Sequence, residues 1–151
     1  MILKNQIHNA CLSYVAQNIE MLQNNILVAQ ESSKSDTKSS AGDKYETTRA
    51  MMQIEIENCA KRLQEVQKQY QILAEITVKN VDSVNSVGLG SLVLTNKGFF
   101  FVSVGIGQLE IEGKKYFVIS PQSPIGMLLM NKKVGESFLF REVKYELLGI
   151  F

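Results

Sequence analysis

Asp43 and Glu46, in the run Gly42-Asp43-Lys44-Tyr45-Glu46, are the one polar constellation in this chain whose residue types and spacing suit chemistry. On a helix, residues i and i+3 share a face. Two carboxylates placed that way can share a hard cation such as Mg2+, which takes one or two carboxylates, keeps several waters and draws other ligands from a phosphate-bearing partner. The same residues also read as a helix start. Asp43 suits an N-cap, Glu46 can reach back to complete a capping box, and the helix dipole favours both acids. Spacing leaves both readings open. Elsewhere the signatures of an enzyme are missing. A lone His8 excludes a multi-histidine metal site, and neither cysteine nor any serine stands in a recognisable nucleophile context. Gly88-Leu89-Gly90-Ser91 and Gly105-Ile106-Gly107 lack the Lys-Ser/Thr of a phosphate-binding loop and are read as turns. The expectation is a protein that is not itself an enzyme, has no cofactor of its own and takes no small-molecule substrate.

The elements around the acid pair follow from periodicity. Apolar residues recur at Val15, Ile19, Leu22, Ile26 and Ala29, spaced four, three, four and three, and the pattern extends upstream through Ile7 and Cys11. A second seam runs through Met52, Ile56, Cys59, Leu63, Val66, Tyr70 and Leu73, flanked by Glu, Gln, Lys and Arg. Met51, Met52 and Tyr70 belong to this seam or its edge rather than to a cofactor box. Between the seams, residues 31–43 (ESSKSDTKSSAGD) are mostly Ser, Thr, Lys and Asp, with no apolar residue except Ala41, which reads as a loop. Two such stripes bury themselves on each other, giving an antiparallel helical hairpin with coiled-coil packing over residues 1–76, its tip loop near 32–43. Some 30 residues at 1.5 Å each make a rod of about 45 Å. Asp43 and Glu46 fall at its turn, with Lys34, Lys38 and Lys44 close by in sequence. Over residues 1–80 nine basic residues balance nine acidic ones, so the shaft is a solvated rod and not a polybasic arm.

Past Glu75 the apolar spacing shortens and Val, Gly and Phe replace Gln and Glu, which marks a β domain over residues 82–151. Strands are expected at Leu92–Thr95, Phe99–Val104, Gln108–Ile111, Tyr116–Ile119, Ser137–Phe140 and Tyr145–Ile150, with short turns that imply antiparallel neighbours. Ser123-Pro124 interrupts them, with Ser as N-cap and Pro at the first helical position of a short helix over Ile125–Met130. The fold class is therefore α+β: a helical hairpin followed by a small antiparallel sheet with one helix.

Composition sets the outer bounds. The chain has 151 residues, 45% hydrophobic and 21% charged, which excludes global disorder and a large α/β enzyme. Sixteen Lys and Arg against fifteen Asp and Glu leave no net field to hold nucleic acid or an anionic membrane. The apolar run Gly98–Gly107 is about half a membrane span, and the N-terminus lacks signal-peptide order. A cytoplasmic protein with no membrane contact is expected, with Cys11 and Cys59 as buried, reduced thiols.

The run ISPQSPIGMLLMNKKVG at residues 119–135, followed by Glu136 and by Lys144-Tyr145-Glu146-Leu147-Leu148-Gly149-Ile150, resembles the C-terminal domain of the bacterial Gre transcript-cleavage factors. In that family an I-S-x-x-S-P-L-x-x-A-L-L-G-K-K-x-G-D run precedes a Y-x-I-x-x-I strand. Gly88-Leu89-Gly90-Ser91-Leu92-Val93 is similar to the family's F-G-S-x-V entry strand, and Gly42-Asp43-Lys44-Tyr45-Glu46 to its tip motif G-D-L-S-E. The architecture agrees over the whole chain and the residue matches cover about a third of it.

The resemblance implies an FKBP-like β domain that grips RNA polymerase, and a coiled coil whose tip enters the secondary channel. There Asp43 and Glu46 would help hold an Mg2+ ion shared with the polymerase active site, near the RNA 3′ end, and stimulate cleavage of backtracked RNA by the polymerase. Ser123, Pro124, Lys132 and Lys133 would be the polymerase-binding residues. The chain also departs from the family. After Glu46 it continues Thr47-Thr48-Arg49-Ala50-Met51-Met52-Gln53, without the family's third acid and its asparagine, and Gln122 stands where many members carry an acid. Arg49 lies three residues past Glu46 and can pair with it. The alternatives are a regulator that occupies the channel without cleavage and a coiled-coil interaction module with an inactive FKBP-like domain. A prolyl isomerase on that domain is the remaining reading, which fold alone does not support.

Overall fold

In the computed structural model the two apolar seams are two long helices, α1 (Ile2–Asp36) and α2 (Asp43–Glu75). The structure describes residues 2–36, 43–78 and 85–151, with side chains over 3–34, 46–78 and 85–151. By compactness the chain divides into two units, Met1–Leu12 with Gln71–Phe151, and Ser13–Tyr70.

In the second unit the expected heptad is visible in the burial. Val15, Leu22 and Ala29 are buried on α1 and Cys59 and Val66 on α2, each seven residues from the next. The intervening Ile19, Ile26, Ile56 and Leu63 are half-buried, and Tyr70 is exposed. Two packed helices enclose one row of the seam fully and leave the flanking row half open. The pairing is antiparallel: Val28 and Ala29 lie beside Met52 and Glu55, while Ser33 and Lys34, further along α1, lie beside Arg49 and Gln53. One expectation is corrected. The polar stretch from Glu31 is helical as far as Asp36 and not loop. Ser, Lys and Glu cost a helix little when solvated, and most of this turn is at the surface or half-buried. Residues 37–42, the rest of the expected tip loop, lie outside the described residues.

The first unit contains six strands, β1 (Leu92–Thr95), β2 (Gly98–Val102), β3 (Gly107–Ile111), β4 (Lys114–Ile119), β5 (Ser137–Phe140) and β6 (Val143–Ile150), with α3 (Pro124–Leu129) between β4 and β5. Their order across the sheet is β3-β4-β2-β1-β6-β5. The expected purely antiparallel sheet is corrected to a mixed one, because β2 and β4 run parallel with Phe100 opposite Phe117 and Phe101 opposite Val118. The physical reason is that β3 and β4 form a tight hairpin about Glu112-Gly113, and β4, not β3, takes the place beside β2. Turn residues report only on neighbours in sequence, so the crossover was not visible in them.

Both faces of the central strands are covered. On one face Val93, Phe100, Val102, Leu129, Phe138, Leu147 and Ile150 form the core with Val87. Phe138 and Tyr145 stack within it at 5.2 Å, and Phe100 and Phe117 at 5.3 Å. On the other, Leu92, Phe101 and Tyr116 are buried, as are Ile7, Leu73 and Ile76 of the same unit. Gly90 shows how close this packing is: its φ is +87°, and a Cβ there would stand 2.9 Å from the Ile76 side chain. His8 donates from Nε2 to the Leu73 carbonyl at 2.6 Å, and this carbonyl, near the end of α2, also accepts from Ile76 N at 3.3 Å. Lys4 Nζ donates to the Phe151 carbonyl at 3.2 Å. Burial lowers the pKa of this lysine. Cys11 is fully buried and its thiol is pushed up to about 12 by desolvation. Among the described residues no helix is long and apolar enough to cross a membrane.

Candidate functional site

The acid pair opens α2. Asp43 is its first residue, and the side chains of residues 43–45 lie outside the described residues, as do the expected cap and the carboxylate of Asp43. Lys44 falls in the same segment, and Lys38 lies wholly outside the described residues. Glu46, one turn into the helix, is exposed and lines a surface hollow with Arg49, Ala50 and Gln53. Helical spacing brings Arg49 to the same face as Glu46. A second hollow lies across the two helices, lined by Gln30, Ser33 and Lys34 from α1 and Arg49, Gln53 and Ile56 from α2. Arg49 therefore borders both hollows, and Lys34 stands beside the second. The sequence had singled out each cation separately. Their meeting follows from the antiparallel register, which fixes Ser33 and Lys34 against Arg49 once Ala29 is set against Met52.

Among the described residues no cluster of three or more His, Cys, Asp or Glu could hold a metal ion. Glu46 offers one solvated carboxylate at this hollow.

The second set of candidates sits around α3. Ser123 caps the helix as expected: its Oγ accepts from the Gly126 amide at 3.1 Å and donates to the Ser120 carbonyl at 2.7 Å. Pro124 occupies the first helical position and is exposed. Both hydrogen-bonding capacities of the Ser123 hydroxyl are thus used within the turn, while Pro124 and Met127 present surface. The turn also requires Gly126, where a Cβ would collide with the Ser120 carbonyl. That demand was not noticed in the sequence, and a glycine inside a short apolar helix is the signal that could have revealed it.

Lys132 and Lys133 follow α3 in a structural loop. The Lys132 carbonyl accepts from Val87 N at 2.9 Å, and Asn131 N returns a bond of 2.9 Å to the Val87 carbonyl. This pair of bonds clamps the segment before β1 to the end of α3. The Lys132 ammonium stands 4.0 Å from Glu136 in a solvated pair, a contact of little energetic weight. Lys133 is exposed, and its carbonyl accepts from Glu136 N. Ser123, Pro124, Lys132 and Lys133 thus belong to one α3-centred segment of the sheet unit, whereas Asp43 and Glu46 belong to the hairpin unit.

No family model matches this sequence, and no curated protein matches it. Among solved structures the chain is similar to the transcription factor Gfh1, at 20% identity and a TM-score of 0.37, with 93% of each chain covered. It is also similar to GreA factor homolog 1 (Gfh1) of Thermus thermophilus, at 15% identity and a TM-score of 0.35, with 93% of this chain and 94% of that one covered. Thermus aquaticus Gfh1 is a third, at 16% identity and a TM-score of 0.33, with 94% of each chain covered. The structural neighbours are thus Gre-factor homologues.

Proposed function

We propose that this chain is a transcription factor that binds bacterial RNA polymerase through its sheet unit, inserts the connecting end of its helical hairpin into the secondary channel and stimulates cleavage of backtracked RNA. The observation that supports this reading is the presence of two matched motifs in one chain. The Asp43 to Glu46 pair opens the second helix of a long antiparallel hairpin, and the Ser123-Pro124 to Gly135 run builds a capped helix and basic loop on a small sheet. Neither motif makes an active site alone, so the chain is a cofactor of polymerase chemistry and not an enzyme.

Asp43 and Glu46 would hold an Mg2+ ion jointly with the polymerase. When bound, such an ion polarises a phosphoryl oxygen and lowers the pKa of a coordinated water. The part played by this chain is placement: Glu46 offers an exposed carboxylate near the end of a hairpin helix, and Arg49 on the same face competes with any cation for it. On the sheet unit, Pro124 and Lys133 offer exposed apolar and cationic contacts, and Ser123 and Lys132 hold the segment in shape.

Arg49 also favours a second reading, a factor that occupies the channel without cleaving. A guanidinium beside Glu46 reduces its value as a metal ligand, and the third acid of the family motif is missing.

Binding is tested by titrating the purified chain into core RNA polymerase. Saturable association is expected, weakened about three- to tenfold by Lys133→Glu, since reversing one rim charge changes complementarity and on-rate. Absence of polymerase binding at low salt overturns both readings and leaves an interaction module for another partner.

A further inference from the structure

The two edges of the sheet, β3 and β5, are finished differently. β3 is joined to β4 by the two-residue turn Glu112-Gly113, and β5 to β6 by Arg141-Glu142, with all four turn residues at positive φ. A turn of this kind makes the residues beside it a hydrogen-bonded pair, and the pattern then alternates along the strand. On β3, Ile111 and Leu109 therefore bond inward to β4, while the backbone groups of Glu110 and Gln108 point outward. On β5, Phe140 and Phe138 bond inward to β6, while those of Leu139 and Ser137 point outward.

Glu110 is exposed, and a charged residue at an outward position guards an edge against pairing with another strand. β5 has no such guard. Its sequence is Ser-Phe-Leu-Phe, and Leu139 is 68% exposed, the highest value for a large apolar side chain among the described residues.

We propose that β5 is a self-pairing edge, on which a second copy of the chain lays its own β5 antiparallel about a two-fold axis between the two Leu139 residues. The proposal does not rest on the polymerase reading. Sequence symmetry selects the occupant, because Phe138-Leu139-Phe140 reads the same in both directions about the apolar residue whose backbone faces outward. In that register Leu139 exchanges two backbone bonds with Leu139 of the second copy, and the two side chains meet on one face. On the other face Phe138 lies opposite Phe140 of the second copy, in the closer kind of cross-strand pair, and carries the cluster of Phe138, Phe140 and Tyr145 across the joint. Ser137 falls opposite Arg141, so no like charges meet within the paired strands. A foreign strand can match the backbone, whereas a copy also matches Leu to Leu and Phe to Phe. Four residues at about 3.4 Å each make a joint about 14 Å long. Each copy covers on the order of 300 Å2, and both together fall short of the roughly 1,000 Å2 of a stable interface, so the pair is weak and forms at high concentration.

Sedimentation equilibrium of the full chain, from micromolar to millimolar concentration, tests this. The expected result is a concentration-dependent rise from 16.9 kDa toward twice that mass. Leu139→Lys and Leu139→Glu each set like charges against each other across the axis, and each should weaken association by about tenfold or more. A mixture of the two variants sets Lys against Glu and should associate about threefold or more tightly than either variant alone. Leu148→Lys adds charge at an exposed position of β6, away from the edge, and should leave association unchanged. Leu139 also lies opposite Lys144 within its own chain, so the folding of every variant is followed by circular dichroism. The proposal is overturned by a wild-type chain that stays at single-chain mass, which would leave the edge to a strand of another protein. Equal association of the wild type and both Leu139 variants, a mixture no tighter than its parts, or equal weakening by Leu148→Lys overturns it too.

Discussion

The sheet unit and the hairpin unit bury apolar residues in different ways. In the sheet unit Leu147 and Phe100 sit among strands, aromatic side chains and α3, and residues far apart in sequence are tied by backbone bonds such as those between Val87 and the loop after α3. In the hairpin unit a buried residue comes only every seventh position, between rows that are half open. A sheet with both faces covered locks its loops in place. A two-helix pack has stability enough to hold a shape, and leaves long surfaces free to meet something else.

The largest difference between the two regions should appear in thiol chemistry. With its pKa raised from 9.0 to about 12, Cys11 in the sheet unit carries about a thousandfold less thiolate than an ordinary thiol at the same pH. Cys59, in the hairpin unit, is also raised, first by desolvation and then by its hydrogen bond to Glu55. Alkylation followed by mass spectrometry should therefore label Cys59 well before Cys11, and equal rates would erase the contrast. The sign for stability follows. In the unfolded chain the Cys11 thiol ionises from about pH 9, while in the folded chain it keeps its proton to about 12. Its contribution is complete below pH 9 and falls as pH rises through that window.

Core truncations sharpen the comparison. Leu147→Ala should cost about 3–5 kcal/mol, because the surrounding strands cannot collapse into the gap. Leu22→Ala should fall near the lower end of the range for such changes, about 2 kcal/mol, since two helices can close toward each other. Urea unfolding measures both, and a larger loss from Leu22 would reverse the ranking of the units. Within the α3 segment, Gly126→Ala should cost about 1–3 kcal/mol through collision with the Ser120 carbonyl. Ser123→Ala should lose about 1 kcal/mol as a missing cap.

Much of this was legible in the sequence, and the exceptions have physical causes. The four-three spacing gave the seam because a stripe seven residues apart has one helical reading, and Ser123-Pro124 gave the start of α3 because cap chemistry is local. The parallel pairing of β2 and β4 was hidden, since it depends on which strand the β3–β4 hairpin turns toward the sheet. The helical residues after Glu31 were hidden because solvated Ser and Lys are compatible with loop and helix alike. At the candidate site, the acid pair was visible as spacing, whereas the approach of Lys34 and Arg49 to one hollow depends on the register between two helices.

Whether Asp43 and Glu46 act at the polymerase active centre, as proposed, is read from the rate of RNA shortening in stalled, backtracked polymerase complexes. The wild-type chain should accelerate it, while an Asp43→Ala and Glu46→Ala double variant that still binds polymerase should not. Equal rates with the wild type, with the variant and with no factor, despite binding, would contradict a role in cleavage and leave a channel regulator that does not cut.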